Sequence, residues 1–406
     1  MRGLIGWFGG RLPRGKRSAM SRSDGIPHGR IVLVANDVGG LGGMERQLAQ
    51  LILGLLTLGR HVTVIARTCE LREHARLRFV KVRGPSRPFS IAYPVFFVIA
   101  SLLARHHKGE ILHATGAIIA NQVDVSTVHY CHRAATTTGL VEPRSSRSSY
   151  AYHLNARVAE HLSRVGEQWC YRPERAALLC AVSAGLGSEL RAAFPDMASR
   201  VRTVANGVDV SSFRPSSVSR SAIRGRLGLD DDTLVAVFVG GDWDRKGLTF
   251  AVGALSGAPE WHLVVAGDGD EDDLRQRAGD AGVSDRLHLL GSVDDTATVY
   301  AAADAFVLPT AYETFSLVTY EAAASELPLL VTRVSGVEDL LRDGSNGWFI
   351  ERDTADIAAR LTSLARNQDL MRSMGRRARQ GAHSFSWSEM VAGYARAYEE
   401  LANVDG

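Results

Sequence analysis

The chain has 406 residues, 45% of them hydrophobic and 22% charged, and carries a net charge of only +3. Two domains are expected, because one ordinary core does not extend to that length. The composition is that of a globular chain, and the near-balanced charge gives no argument for nucleic acid as a partner. Cys69, Cys131, Cys170 and Cys180 form no Cys-x-x-Cys pair. That argues against a disulfide framework or zinc ribbon and fits a reducing cytoplasm.

In chain order, residues 1–29 come first. Arg2, Arg11, Arg14, Lys16, Arg17 and Arg22 face a single acid, Asp24, among glycines and serines. Such a segment is not expected to fold alone, and it lacks the apolar stretch of a secretory signal. Three readings stand: a basic arm drawn to anionic lipid, a plain tail, or a chain that truly starts at Met20. Residues 30–36 then read as a buried parallel strand, 37–43 as a glycine-rich loop, and 44–58 as a helix with Leu48, Leu51, Ile52, Leu55 and Leu58 on one face. Gly59 stops the helix, and 61–66 is the next strand.

Residues 89–104 are apolar for about 16 positions, short of the ~20 a membrane span needs, and Pro94 interrupts them. A buried helix over a sheet is the expectation, with docking onto a membrane surface left open. Strands over 110–113, 123–129 and 177–182 continue a βαβ alternation, which argues for a doubly wound parallel sheet.

A Pro/Ser-rich stretch, Arg214-Pro-Ser-Ser-Val-Ser219, precedes a second series. Strands are expected over 234–239, 263–266, 286–290, 305–308 and 329–332, with a loop over 240–247 and a helix over 248–255. The chain closes with Phe385-Ser-Trp-Ser-Glu389 and a helix to about Ala402. Two α/β halves with a cleft between them follow. Ligands bind such sheets at the carboxyl ends of strands, where this chain places its glycines and charges.

The motifs at those ends carry the functional reading. Gly39-Gly-Leu-Gly-Gly43-Met-Glu45-Arg46 lets backbone approach a ligand ahead of a helix N-terminus, with Glu45 holding the loop. A dinucleotide-binding loop competes with that reading, although no acid ends the following strand. Val128-His129-Tyr-Cys-His132 ends a first-half strand; His129 and His132 are candidates to act on an acceptor or bind a sugar, while His113 is expected to be structural.

Gly240-Gly241-Asp-Trp-Asp-Arg245-Lys246 sets two cations just before a helix, suited to phosphate oxygens. Gly267-Asp-Gly269 follows the next strand, and its acidic run, 268–273, lacks the spacing of a calcium loop. Residues 306–321 run from a strand through a loop with Glu313, Thr314, Phe315 and Ser316 into a helix beginning near Leu317 and carrying Glu321. One junction thus offers backbone N–H groups for a phosphate and carboxylates for hydroxyls.

This Glu-x7-Glu pattern resembles the retaining nucleotide-sugar glycosyltransferases of the GT-B fold, glycosyltransferase family 4. Asn206-Gly207-Val-Asp209 with Phe213-Arg-Pro215 closely follows a signature of that family, at its hinge region. The resemblance covers about residues 30–400. It implies two Rossmann-like domains, an acceptor-binding one over 30–212 and a nucleotide-sugar-binding one over 213–384, with 385–406 packing back on the first. Most members carry Arg directly after the first glycine of the cation loop; Gly241 stands there, so Arg245 must supply the second charge. In this respect the chain is most similar to the bacterial lipopolysaccharide-core glucosyltransferase branch.

The resemblance implies that Arg245, Lys246 and the N–H groups near Phe315–Leu317 stabilise the leaving nucleoside diphosphate. Glu313 would bind sugar hydroxyls and Glu321 the ribose. Gly42, Gly43, Gly240, Gly241, Gly267 and Gly269 would approach the donor, and Ser292 and Val293 belong to a segment whose backbone reads the base. Ser316 stands where many relatives have glycine. A UDP- or GDP-linked sugar is the expected donor, a glycan, lipid-linked or small molecule the expected acceptor, and transfer is expected by a front-face path with no metal or other cofactor required. The setting is cytoplasmic, with peripheral membrane contact open. A glycoside phosphorylase on the same fold and a catalytically silent sugar-nucleotide binder are the alternatives.

Overall fold

The computed structural model describes residues 30–40, 42–107, 110–137 and 150–404. The basic segment 1–29, Leu41 of the glycine loop and Lys108 lie outside them. Short β-branched runs form the strands. β1 (Arg30–Val34), β3 (His61–Ala66), β5 (Leu77–Lys81), β6 (Ile111–Thr115), β7 (Val123–Val128), β8 (Ala176–Ala181) and β9 (Val201–Thr203) make one parallel sheet, ordered β5-β3-β1-β6-β7-β8-β9. Beside it β2 (Asp37–Val38) pairs with β4 (Thr68–Cys69).

A second parallel sheet holds β10 (Leu234–Val239), β11 (Trp261–Ala266), β12 (Leu287–Leu289), β13 (Ala305–Leu308), β14 (Leu329–Thr332) and β15 (Gly347–Ile350), ordered β12-β11-β10-β13-β14-β15. The strand order reverses between β1 and β6 in the first sheet and between β10 and β13 in the second. At such a reversal neighbouring loops diverge and leave a crevice. The glycine loop follows β1, the cation loop follows β10 and the Glu313 loop follows β13, so the motifs gather at the two crevices.

The chain crosses between the sheets twice, and the crossings touch. The Val208 N–H donates to the Phe385 carbonyl at 2.8 Å, and Val208 bridges Ser386. A side chain on Gly207 would strike the Trp387 backbone, so the Asn-Gly signature here permits backbone contact. The last helix, Trp387–Val404, returns to the first sheet. Its Tyr394 and Tyr398 are buried in one apolar cluster with Leu48, Leu51 and Leu55 of helix α1 (Gly43–Thr57). His113 is held there between the Tyr398 and Thr127 hydroxyls, each at 2.7 Å, and burial pushes its imidazole down to about 3.

Helix α2 (Phe89–Ala104) occupies the apolar segment. Ala92, Phe96, Ala100 and Ala104 face the core, whereas Phe89, Ile91, Val98 and Leu102 are exposed. One face is therefore buried, as expected of a helix covering a sheet, while the opposite apolar face is left exposed. No helix among the described residues is long and apolar enough to cross a membrane.

Candidate active site

The second sheet builds a stepped floor. The Gly240 N–H donates to the Ala266 carbonyl at 2.8 Å, and the Gly267 N–H donates to the Gly291 carbonyl at 2.8 Å. Gly267 has φ +134°, and any Cβ there would collide with the Gly240 carbonyl. The indole of Trp243 lies where a Gly269 side chain would stand and donates to the Gly240 carbonyl at 3.1 Å. These glycines thus bring the ends of β10, β11 and β12 together. Gly241 sits above them against Asp268, while Ser292 and Val293 follow β12. The acidic run has a local explanation: Asp270 caps the helix Glu271–Asp280, whose first turn takes Glu271, Asp272 and Asp273.

The expected loop over 240–247 contains a single helical turn, Trp243–Lys246. Arg245 and Lys246 therefore end one short helix as well as preceding the helix Leu248–Ala254. At the end of that short helix the dipole favours cations, so a bound anion is not needed to explain them there. What holds the cations is Glu313: its Oε1 accepts from Lys246 Nζ at 3.2 Å and Arg245 Nη1 at 3.4 Å. Arg245 also donates to the Tyr312 carbonyl at 2.5 Å and to Asp242 at 2.7 Å. The Lys246 and Glu313 side chains are only 12% and 14% exposed, so this pair is largely withdrawn from solvent. A Cβ on Gly240 would lie 2.9 Å from Lys246 Cε, so the missing side chain makes the lysine's path.

The helix Leu317–Ala324 opens at Ser316, whose φ of +68° lies in the left-handed region. That conformation explains why glycine suits this position. Ser316 Oγ lies 2.8 Å from Thr319 Oγ1, and Phe315 stacks on Tyr320. Thr314 is half-buried in the preceding loop. Glu321, expected to face ribose, is buried and already engaged. It accepts from Arg46 Nη1 at 2.6 Å and from the Tyr300 hydroxyl at 3.1 Å. Burial raises its carboxyl pKa, and Arg46 opposes that rise.

Arg46 belongs to α1 of the other sheet, so this bond spans the cleft. Two more contacts do the same: Leu317 fills the space beside Gly43, and Tyr130 packs edge-on against Tyr312 with ring centroids 5.3 Å apart. The Glu45 carboxylate folds back over Gly42, in keeping with its expected part in holding the loop.

On the first-sheet side, His129 follows β7 and His132 begins helix α3 (His132–Thr137). Burial pushes both imidazoles down to about 4, so both are neutral near pH 7. His129 Nε2 is enclosed without a hydrogen-bond partner among the described residues. His132 packs against Tyr130.

Sequence reading passed over the residue beneath them, Glu167 of helix α4 (Tyr150–Cys170). Its carboxylate accepts from the His132 N–H at 2.8 Å and the Arg133 N–H at 3.1 Å. Burial pushes that carboxyl up to about 7. A lone glutamate in an amphipathic helix gives no sequence signal, because its meaning comes from α3 beginning above it. Arg46 was legible as part of the glycine motif, but its partner 275 positions away was not.

Residues 41–212 match the family model described as Glycosyltransferase Family 4, and residues 219–381 match that described as Glycosyl transferases group 1. A D-inositol 3-phosphate glycosyltransferase of Geodermatophilus obscurus is 35% identical over 224 residues, 50% of this chain and 49% of that protein. A phosphatidyl-myo-inositol mannosyltransferase of Mycolicibacterium smegmatis is 30% identical over 208 residues, 49% of this chain and 52% of that protein. The chain thus spans about half the length of these curated relatives.

Among solved structures, WaaG, a glycosyltransferase involved in lipopolysaccharide biosynthesis, superposes with a TM-score of 0.74 at 18% identity, covering 90% of this chain and 98% of its own. Sucrose-phosphate synthase from Thermosynechococcus elongatus also gives 0.74, at 19% identity over 93% and 100% of the two chains. Anabaena HepE, crystallised with UDP and glucose, gives 0.68 at 18% identity over 92% and 100%. These neighbours share the two-domain GT-B fold.

Proposed function

This chain belongs to glycosyltransferase family 4, and from that premise we propose that it moves a sugar from a nucleoside-diphosphate donor to an acceptor hydroxyl with retention of anomeric configuration. The carrying observation is the cluster of Arg245, Lys246 and Glu313 at the β10/β13 crevice, facing the glycine loop across the cleft. A donor diphosphate meets two cations and the first turn of the helix Leu317–Ala324. Its phosphate draws Lys246 and Arg245 partly away from Glu313, freeing that carboxylate for sugar hydroxyls. Glu321 takes the ribose hydroxyls on lone pairs that Arg46 and Tyr300 leave open.

No carboxylate is assigned as a nucleophile. The leaving phosphate accepts the acceptor proton on the face it departs from, and the protein contributes charge stabilisation and positioning. His129, neutral and with a free ring nitrogen, reaches the transferred sugar, and His132 stands beside the acceptor. The cations and helix end suffice for the leaving group, so the reaction proceeds without divalent metal. HepE, of the same fold, was crystallised with UDP, which supports a UDP-linked donor; a GDP-linked one uses the same phosphate contacts. The exposed apolar face of α2, with Arg83, Arg87 and Arg105 near its ends, suits peripheral contact with an anionic inner membrane face and a glycan or lipid-linked acceptor there.

The test is incubation with UDP- and GDP-sugars, following donor loss and the anomeric configuration of the product by NMR. Loss of one donor with retention, undiminished by EDTA, is expected. Turnover dependent on divalent metal, or an inverted product, contradicts the mechanism.

A further inference from the structure

A cavity of about 220 Å³ lies on the first-sheet side of the cleft, several times the roughly 30 Å³ share of one water. Its floor is formed at the carboxyl ends of β1, β6 and β7, by Asn36, Thr115 and His129. Its walls include Phe89 and Tyr93 of α2, Ser163 and Glu167 of α4, and Tyr130 and His132. Met44, next to Gly43, and Tyr130, packed on Tyr312, set its mouth beside the proposed donor site.

The chemistry of this lining is selective. Neutral imidazoles, an amide and hydroxyls can both donate and accept, as sugar hydroxyls do. Phe89 and Tyr93, stacked with centroids 5.3 Å apart, offer aromatic surface for the apolar face of a ring. Among the described residues lining the cavity there is no lysine or arginine. Arg133 and Arg164 act on Glu167 from outside the lining, and Arg133 lies over the Phe194 ring. A phosphate brought in would meet the Glu167 carboxyl and, among the described residues of the lining, no cation to pair with, and unpaired buried charge is strongly disfavoured.

We propose that the acceptor enters this cavity as an uncharged polyhydroxylated ring, a sugar or cyclitol bearing no phosphate on the inserted ring, and that Glu167 enforces the exclusion. This rests on reading the cleft as a sugar-transfer site, and it names the class of acceptor. It also separates this chain from relatives named for a phosphorylated inositol.

Saturation-transfer NMR on the full chain, with UDP present, tests it. Methyl hexopyranosides and myo-inositol serve as neutral probes, against hexose 6-phosphates and inositol monophosphate. At least one neutral probe should bind, and its phosphorylated counterpart should bind at least about tenfold more weakly. Phe89→Ala, at the exposed rim, should weaken the neutral probe. At pH 8, where the Glu167 carboxyl is ionised, Glu167→Gln keeps the shape and removes the charge, so it should narrow the gap between the two probe classes, which a purely structural glutamate would not do. Equal or tighter binding of the phosphates to the unaltered chain overturns the proposal. So does absence of binding by every neutral probe, or a gap unmoved in a folded Glu167→Gln protein. Thermal stabilisation by UDP or GDP, measured in parallel without probes, reports on the donor site alone. Failure there counts against the transferase reading, whereas failure of the probes beside intact nucleotide binding counts against the acceptor class.

Discussion

At the scale of single residues, the charges at the β10/β13 crevice have separable roles. Lys246 is largely buried against Glu313 and points along the path opened by Gly240. In the proposed mechanism its ammonium meets charge that grows on the leaving phosphate. Lys246→Ala should therefore lower kcat by roughly 10²–10³-fold while the protein stays folded, as steady-state kinetics and far-UV circular dichroism would show. An unchanged rate would reduce the lysine to a partner of Glu313. The two glutamates should fail differently. Glu321→Gln alters the proposed ribose contact, which is similar in ground and transition states, so the donor KM should rise with little change in kcat. Glu313→Gln acts, on the proposed reading, where positive charge develops on the sugar, so kcat should fall. Reversed effects would mean that the roles are exchanged. The residue types and spacing of Glu313, Arg245 and Lys246 were legible in the sequence, because each lies in a motif at a strand end. That Glu321 is shared with Arg46 was not legible, since nothing local links α1 of one sheet to a helix of the other.

At the scale of elements, strand ends and glycines position the site. Gly267 sits where β11 passes under the Gly240 carbonyl, with φ +134°. Gly267→Ala requires both a strained backbone and a displaced strand end, and overpacking of this kind costs about 1–3 kcal/mol. Chemical denaturation should show that loss, and nucleotide binding should weaken with it because Lys246 follows Gly240. Full stability in the alanine variant would show that the stepped floor has slack. The strands were readable from their apolar runs and the parallel sheets from the βαβ alternation, whereas the place where the strand order reverses and opens each crevice was not. The single turn Trp243–Lys246 was not readable: four residues between glycines carry no helical period, and Trp243 is fixed by contact with Gly269 from the next strand. The half-exposed face of α2 was likewise hidden, because apolar residues line both sides of that helix and only packing decides which are covered.

At the scale of the whole molecule, buried titrating groups set the response to acid. Folded His129 and His132 take protons only near pH 4 and His113 only near 3, against about 6.5 when unfolded. Between 6.5 and 4 the unfolded chain binds these protons and the folded chain does not, so stability is lost as pH falls. Glu167 acts oppositely: its folded carboxyl protonates near 7 and its unfolded one near 4.5, so its contribution grows as pH falls across that window. His262 and His288, also lowered by burial, add to the histidine side, while Glu189, Glu321 and Asp339, raised by burial, add to the Glu167 side. The three enclosed histidines are expected to dominate, so the melting temperature should drop from pH 6.5 to 4, more steeply in Glu167→Gln; a flat or rising profile would show that the carboxyls balance or outweigh them. The two-sheet architecture was legible from length and alternation, whereas the cavity above Glu167 needed the packing of α2, α3 and α4 to come into view. The central claim is that this cleft holds a nucleoside diphosphate through Arg245, Lys246 and a helix end. Thermal melting of the full chain with UDP and with GDP, in EDTA, tests it most directly. At a ligand concentration near 100 times Kd, one of the two should stabilise the protein by about 2.7 kcal/mol, and Lys246→Ala should reduce that gain. Absence of stabilisation by either nucleotide, or its abolition by EDTA, would contradict the account.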